Sequence, residues 1–166
     1  VRSVSPSNSL RAGPVTVSHT EATGDASGTF SYKVYLDDPS YSKIIPLMSD
    51  VNGIYRVNLA LGAAYMIDYS TGTYQYNGVL SLNTWHSIDV NFDAAAGNFE
   101  LVVDGVSKGA RPMAAGGNMA GYVFAYNDGY GTLYFDDVKL VPEPVTLSLL
   151  GLGLGLVASR RTRRSA

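Results

Sequence analysis

Few residues in this chain are of the types that make or break bonds. Cysteine is absent, which removes disulfides, thiol catalysis and Cys-based zinc sites together. Histidine occurs only as His19 and His86, so these two alone could serve as the base of a nucleophilic hydrolase or a lyase. His19 lies in a polar, Thr-rich stretch and reads as solvated. Glycoside hydrolysis usually needs two carboxylates about 5–10 Å apart. Only Glu21 and Glu100 precede position 142, and neither has a second acid at such a spacing. Asp136 and Asp137 are adjacent, so on a strand they point to opposite faces and cannot straddle one bond. Gly-rich nucleotide signatures and paired-His metal spacings are also missing. The inventory argues against an enzyme.

Two chemistries remain open. Calcium takes oxygen ligands from loops, and Asp136 or Asp137 could supply a carboxylate, with Asp37-Asp38 and Asn127-Asp128 as loop alternatives. The competing reading is that these are turn and edge acids facing water. No other cofactor is indicated. The second chemistry is sugar binding, which sets flat aromatic faces against pyranose rings and adds polar groups for the hydroxyls. The chain has 12 tyrosines. Tyr65, Tyr69, Tyr74, Tyr76, Tyr126 and Tyr130 lie in or beside strand-like segments, with Asn77, Asn127 and Asp128 close in sequence. The competing reading is that tyrosine is simply favoured in strands. Tyr32 and Tyr55 fall on apolar faces and are expected in the core, as is Trp85.

The elements that must position these groups are short β segments broken by Gly, Asn, Asp and Ser. Phe30, Tyr32, Val34 and Leu36 alternate with polar neighbours and Tyr35, a period-two strand with one buried face. Tyr55, Val57, Leu59 and Leu61 repeat the pattern, as do Tyr65, Ile67 and Tyr69. Ile88, Val90 and Phe92 share a face with His86. Phe99, Leu101 and Val103 lead into Asp104-Gly105, a type I′ hairpin signal, with Val106 starting the return strand. Tyr122, Phe124 and Tyr126, then Leu133 and Phe135, supply the last two strands. No segment before Val145 has helical periodicity. The spacing predicts an all-β antiparallel sandwich over residues 1–141.

Charge divides the chain. The net charge is −2, with 12 Lys+Arg against 14 Asp+Glu. Up to Val141, eight basic residues face 13 acidic ones, a net of −5. Such an acidic body repels phosphate backbones and argues against nucleic acid as a partner. The counterweight is at the end: Arg160, Arg161, Arg163 and Arg164.

Residues 142–166 form a distinct tail. Pro142, Glu143 and Pro144 precede an uncharged run, 145–158, and the arginines follow. As a helix that run spans roughly 21 Å at ~1.5 Å per residue, short of the ~30 Å hydrocarbon core. Snorkelling arginines and local thinning can cover part of the gap. Prolines before it and arginines after it suit a short membrane helix better than a core helix. Arginines stay cytoplasmic, which orients residues 1–141 outward. Gly151 and Gly155 could pack helices, or be part of a plain Leu-Gly run.

The tail resembles a PEP-CTERM sorting signal in all three parts and in their order. That resemblance implies an exosortase as partner, with Pro142, Glu143 and Pro144 as its recognition residues. It also implies a Gram-negative host that makes exopolysaccharide. The expected route is an inner-membrane-anchored precursor with its body in the periplasm, then the cell surface or extracellular matrix. A chain with this tail should need an amino-terminal export signal. Val1 opens without one, so the sequence is expected to be a fragment or a product trimmed at that end.

A second resemblance covers roughly residues 30–140. Leu82-Asn83-Thr84-Trp85-His86 opens a strand, and the returning strand ends in Val103-Asp104-Gly105. This is similar to the central hairpin of concanavalin A-like, laminin-G-type jelly rolls, and residues 134–140 resemble that group's last strand. The resemblance implies a jelly roll in which His86 is structural. Together the readings give an exported protein whose sandwich binds glycan or exopolysaccharide. The alternative is a structural or adhesive biofilm protein with no specific ligand pocket.

Overall fold

A computed structural model describes residues 10–12, 17–37, 43–126 and 133–142. Twelve strands run β1 (Leu10–Ala12), β2 (Val17–Asp25), β3 (Ser27–Leu36), β4 (Lys43–Asp50), β5 (Tyr55–Gly62), β6 (Met66–Asp68), β7 (Tyr74–Gln75), β8 (Trp85–Asp93), β9 (Asn98–Val103), β10 (Val106–Pro112), β11 (Met119–Tyr126) and β12 (Leu133–Pro142). They form two six-stranded sheets, ordered β1-β12-β3-β8-β9-β10 and β2-β11-β4-β5-β6-β7. All the pairings are antiparallel. The described residues contain no helix, so none is long and apolar enough to cross a membrane. The expected membrane segment, 145–158, lies outside the described residues, as do Glu143, Pro144 and Arg160, Arg161, Arg163 and Arg164.

Alternation builds the core. In β8, Trp85, Ser87, Asp89, Asn91 and Asp93 are half-buried while His86, Ile88, Val90 and Phe92 are buried. The neighbouring β3 buries Phe30, Tyr32, Val34 and Leu36, and β9 adds Phe99, Leu101 and Val103. Met48, Val57, Leu59, Leu61 and Met66 come from the second sheet. Phe30 stacks on Tyr122 at 4.6 Å, and Phe124 stacks on Phe135 at 4.6 Å, joining the sheets through aromatic contact. The first connection within this hairpin region turns as expected: Asp104 (φ +51°) and Gly105 (φ +75°) both take left-handed backbone.

Several expected faces are corrected. Tyr65, Ile67 and Tyr69 were expected to turn one apolar face inward, but β6 buries Met66 and Asp68 instead. The pairing of Leu61 with Met66 and Leu59 with Asp68 sets that phase, and a shift of one residue exchanges the faces. Tyr55, expected in the core, is 49% exposed at the start of β5. Tyr35 is buried although its strand neighbours Lys33 and Asp37 are not. It packs against Trp85 and Tyr134 on the outer side of the first sheet. Trp85 is therefore half-buried on that outer face and not in the core.

One carboxylate ties the β4–β5 turn to the segment before β11. Asp50 is buried. Its Oδ1 accepts the Asn52 and Ile54 N–H groups at 2.8 and 3.0 Å, and its Oδ2 accepts Gly117 N–H at 2.8 Å. Buried Arg56 donates from Nε to the Ala114 carbonyl at 2.9 Å and from Nη1 to the Gly117 carbonyl. Gly116 permits this approach, since a Cβ there would stand 2.5 Å from Asp50 Oδ2. The Gly117 N–H, then the Ile54 and Asn52 N–H groups and the Arg56 charge, hold the Asp50 carboxyl below its ordinary value of 3.8 against the effect of burial.

Asp50→Ala should therefore cost about 3 kcal/mol at neutral pH, because it orphans three donors. A folded value below the unfolded one gives stability that is present above 3.8 and lost as pH falls through the folded value. Urea unfolding of wild type and variant should show a gap that is full above pH 4 or so and narrows below it. A gap that is constant or grows in acid would contradict this role.

Candidate functional site

The site is built where an edge of one sheet meets an edge of the other. β7 is the outermost strand of the second sheet and β10 the outermost strand of the first. Asp68, at the end of β6, is 1% exposed. A buried carboxylate needs compensation, and it has one donor and one cation. Oδ1 accepts the Ser70 N–H at 2.7 Å, and Oδ2 lies 3.6 Å from Nε of Arg111 in β10. The Arg111 guanidinium also covers one face of the Tyr74 ring, 3.8 Å from its centre. Tyr76 meets Tyr74 edge-on at 5.1 Å. A single cation thus crosses from one sheet to the other and fixes an aromatic pair.

Beside this pair is a cavity of about 250 Å³, lined by Tyr74, Tyr76, Asn77, Ser107 and Lys108. That is slightly below the ~300 Å³ at the small end of ligand pockets. It suits one ring of a polymer better than a long segment. Arg111 covers one face of the Tyr74 ring without itself lining the cavity. Ser107 and Lys108 are consecutive, and a regular strand would point them apart. The register of β10 on β9 shifts between Ser107 and Ala110, with Gly109 at φ +92°. Such a bulge re-aims side chains, and here two neighbours line one cavity.

Polar chemistry at the cavity is uneven. The Tyr76 side chain is almost wholly buried, and its hydroxyl has no hydrogen-bond partner. Burial, and next the Asp68 charge, raise its pKa well above the ordinary tyrosine value. It is therefore a neutral phenol whose hydroxyl is buried. Arg111 Nε is also buried without a hydrogen bond. Ser107 Oγ donates to Glu100 Oε1, and Asn91 Nδ2 donates to Oε2 at 3.3 Å. Those two bonds, Ser107 first, hold the Glu100 carboxyl below its ordinary value.

Of the six candidate tyrosines, the structure brings together Tyr74 and Tyr76, with Asn77. Tyr74 is 40% exposed, whereas Tyr76 belongs to the core and presents only its edge to the cavity. Tyr65 and Tyr69 flank β6 and do not line this cavity. Tyr126 ends β11 opposite Ile44, and its side chain is outside the described residues. Tyr130, Asn127, Asp128 and Asp38 are outside them as well. Sequence reading missed Asp68, Ser107, Lys108 and Arg111. The alternating Ser107-Lys108 pair carried no aromatic signal, and the meeting of β7 with β10 is a tertiary event.

His86 is held from three sides. Nδ1 lies 2.6 Å from Asp104 Oδ2, and Nε2 lies 3.0 Å from both Ser81 Oγ and the Ser81 carbonyl oxygen. The outline is that of a nucleophilic triad. With Nδ1 donating to the Asp104 carboxylate, Nε2 accepts from the Ser81 hydroxyl in the neutral ring and donates to the Ser81 carbonyl in the protonated ring. The cluster pins the start of β8 to the β9–β10 turn. His19 is half-exposed, 3.4 Å from Glu21, with its ring near Tyr122.

Asp136 is buried and Asp137, at φ +53°, pairs with Lys33 at 2.8 Å. Asp137 N–H bonds Asp136 Oδ1 at 2.9 Å. A cation at Asp137 would have to displace an ammonium. Among the described residues no three His, Asp or Glu side chains gather as a metal site.

No protein-family model matches the sequence, and a search of curated proteins finds no match. Solved structures do share the fold. A sialidase superposes with a TM-score of 0.68 at 12% identity, over 81% of this chain. A tetrameric galectin from the ball sponge Cinachyrella superposes at 0.60 and 10% identity, over 76% of this chain and 99% of its own. The body is a jelly-roll sandwich. A carbohydrate-binding module from Bacillus subtilis superposes at 0.54 and 11% identity, over 81% of this chain and 92% of its own. This chain spans only 15% of the sialidase's length. The jelly roll is thus common to binding modules and enzymes, and at these identities the likeness concerns fold alone.

The Asp68–Arg111 contact gives a direct test. Arg111→Met should destabilise the protein by about 3 kcal/mol, because it leaves a buried carboxylate uncompensated. Adding Asp68→Asn should restore more than half of the loss in urea unfolding. If the single variant unfolds like wild type, the pair does not hold the two edges.

Proposed function

We propose that this protein is an exported glycan-binding jelly roll, and that its sugar site is the cavity between β7 and β10. The observation that carries the reading is the Tyr74 ring, covered on one face by Arg111, 40% exposed and lining the cavity. A pyranose ring has an apolar face for such a platform and hydroxyls for Asn77 and Ser107. A platform fixed by a guanidinium loses little freedom when the ligand arrives. Hydrolysis is disfavoured, because Glu100, the carboxylate bonded to the lining Ser107, has both oxygens engaged, by Ser107 and Asn91. The galectin and the carbohydrate-binding module support the same reading by what their names say of those proteins.

Delivery is the other half of the proposal. The tail, 142–166, is a sorting signal read by an exosortase, and it places the body at the envelope, within reach of exopolysaccharide. Its support is the ordered set of Pro142-Glu143-Pro144, an apolar run and an arginine cluster. The last strand ends on Pro142 itself, so cutting beyond that point would leave the sandwich whole. Calcium is not required by this reading.

Calorimetric titration with oligosaccharides of the host's exopolysaccharide tests the site. Tyr74→Ala should weaken binding about tenfold, ~1.4 kcal/mol, while Tyr69→Ala leaves it unchanged. No binding at millimolar sugar, or equal losses in both variants, would favour a structural or adhesive role instead. For the tail, replacing Pro142, Glu143 and Pro144 by alanine should leave a full-length, membrane-retained product in a host with an exosortase. Normal trimming of that variant would contradict the sorting claim.

A further inference from the structure

The cavity has a charge that neutral sugars do not need. Lys33 is paired with Asp137 and Arg111 with Asp68, whereas Lys108 has no carboxylate within ion-pair distance among the described residues. Lys108 is also half-buried in the lining of the cavity. Its ammonium reaches the turn after β7, since a Cβ built on Gly78 would stand 4.0 Å from Nζ. The ammonium is thus brought across from the first sheet to the exit of β7, next to Asn77. Glu100, one strand further in, is turned to Ser107 and Asn91 and does not neutralise it.

Resting on the glycan reading above, we infer that the cavity selects an acidic sugar, one whose carboxylate or ester sulfate meets Lys108. The ring of that sugar lies against Tyr74, and its hydroxyls take the polar groups of Asn77 and Ser107. The polymer class is an anionic polysaccharide. A half-buried ammonium gains more from a contacting anion than an exposed lysine does, because less of its surroundings is water. The body as a whole is acidic, so long-range steering opposes such a ligand. At physiological salt, charges beyond about 8 Å are screened, and contact with Lys108 decides the preference.

Matched ligand pairs test this at 0.15 M salt: oligogalacturonate against its methyl ester, and sulfated dextran oligosaccharide against dextran oligosaccharide. Wild type should prefer the charged member of at least one pair by about five- to tenfold, and the pair that shows it tells carboxylate from sulfate. Lys108→Gln should bring that ratio close to one, and Lys108→Arg should preserve it. Unchanged circular dichroism and unfolding midpoints show whether each variant is folded. A ratio near one in wild type for both pairs, with the neutral sugars still bound, overturns the acidic-sugar inference and spares the glycan reading. A ratio untouched by Lys108→Gln overturns it as well. If no member of either pair binds, the glycan reading fails and this inference with it.

Discussion

A carboxylate taken out of water must be compensated where it sits, and in this protein that demand falls on Asp68. Its compensation comes from Arg111, in the other sheet. The contact is long for a hydrogen bond and short enough for an ion pair, so the guanidinium keeps donor capacity and still neutralises the acid. To reach Asp68 it must lie along the Tyr74 ring. The position of the aromatic platform is then a consequence of charge burial. The cavity beside it is completed by Tyr76, edge-on to Tyr74, and by the bulge of β10 on β9. Core packing alone would hold the sheets face to face; it would not define what happens at this edge.

Two tyrosines illustrate how context changes the meaning of one chemical fact. Tyr32 and Tyr76 each bury a hydroxyl without a partner. Tyr32 sits among Phe30, Phe124 and the apolar faces of both sheets, where the hydroxyl is a cost carried by the packing of its ring. Tyr76 borders the cavity with its ring, while its hydroxyl stays buried. Burial raises the pKa of both, so each stays a neutral phenol able to donate one hydrogen bond.

The strands with strict alternation were legible from sequence. β3, β8 and β9 bury the residues that their period-two pattern assigns, and Asp104-Gly105 turns as its residues require. β6 was legible as a strand but not in phase, because both Ile67 and its neighbours Met66 and Asp68 could face inward. Hydrogen-bond register with β5 decided it. The candidate site was half legible. An excess of tyrosine beside Asn77 pointed to Tyr74 and Tyr76. Nothing local marked Lys108 or Arg111, which come from β10 and matter only because two sheet edges meet. Trp85 misled for a related reason: its outer-face partners, Tyr35 and Tyr134, come from β3 and β12.

The proposed sorting tail and the proposed sugar site answer different questions, one of address and one of task. The tail carries its meaning in consecutive residues, and the sandwich carries its own in a contact between distant strands. The most direct measurement of that task is an amide proton–nitrogen correlation spectrum recorded while oligogalacturonate or dextran oligosaccharide is added. The account predicts shifts concentrated at residues 74–78 and 106–109, with the outer face around Trp85 unmoved. Shifts centred instead on Tyr35, Trp85 and Tyr134, or none at millimolar sugar, would contradict it.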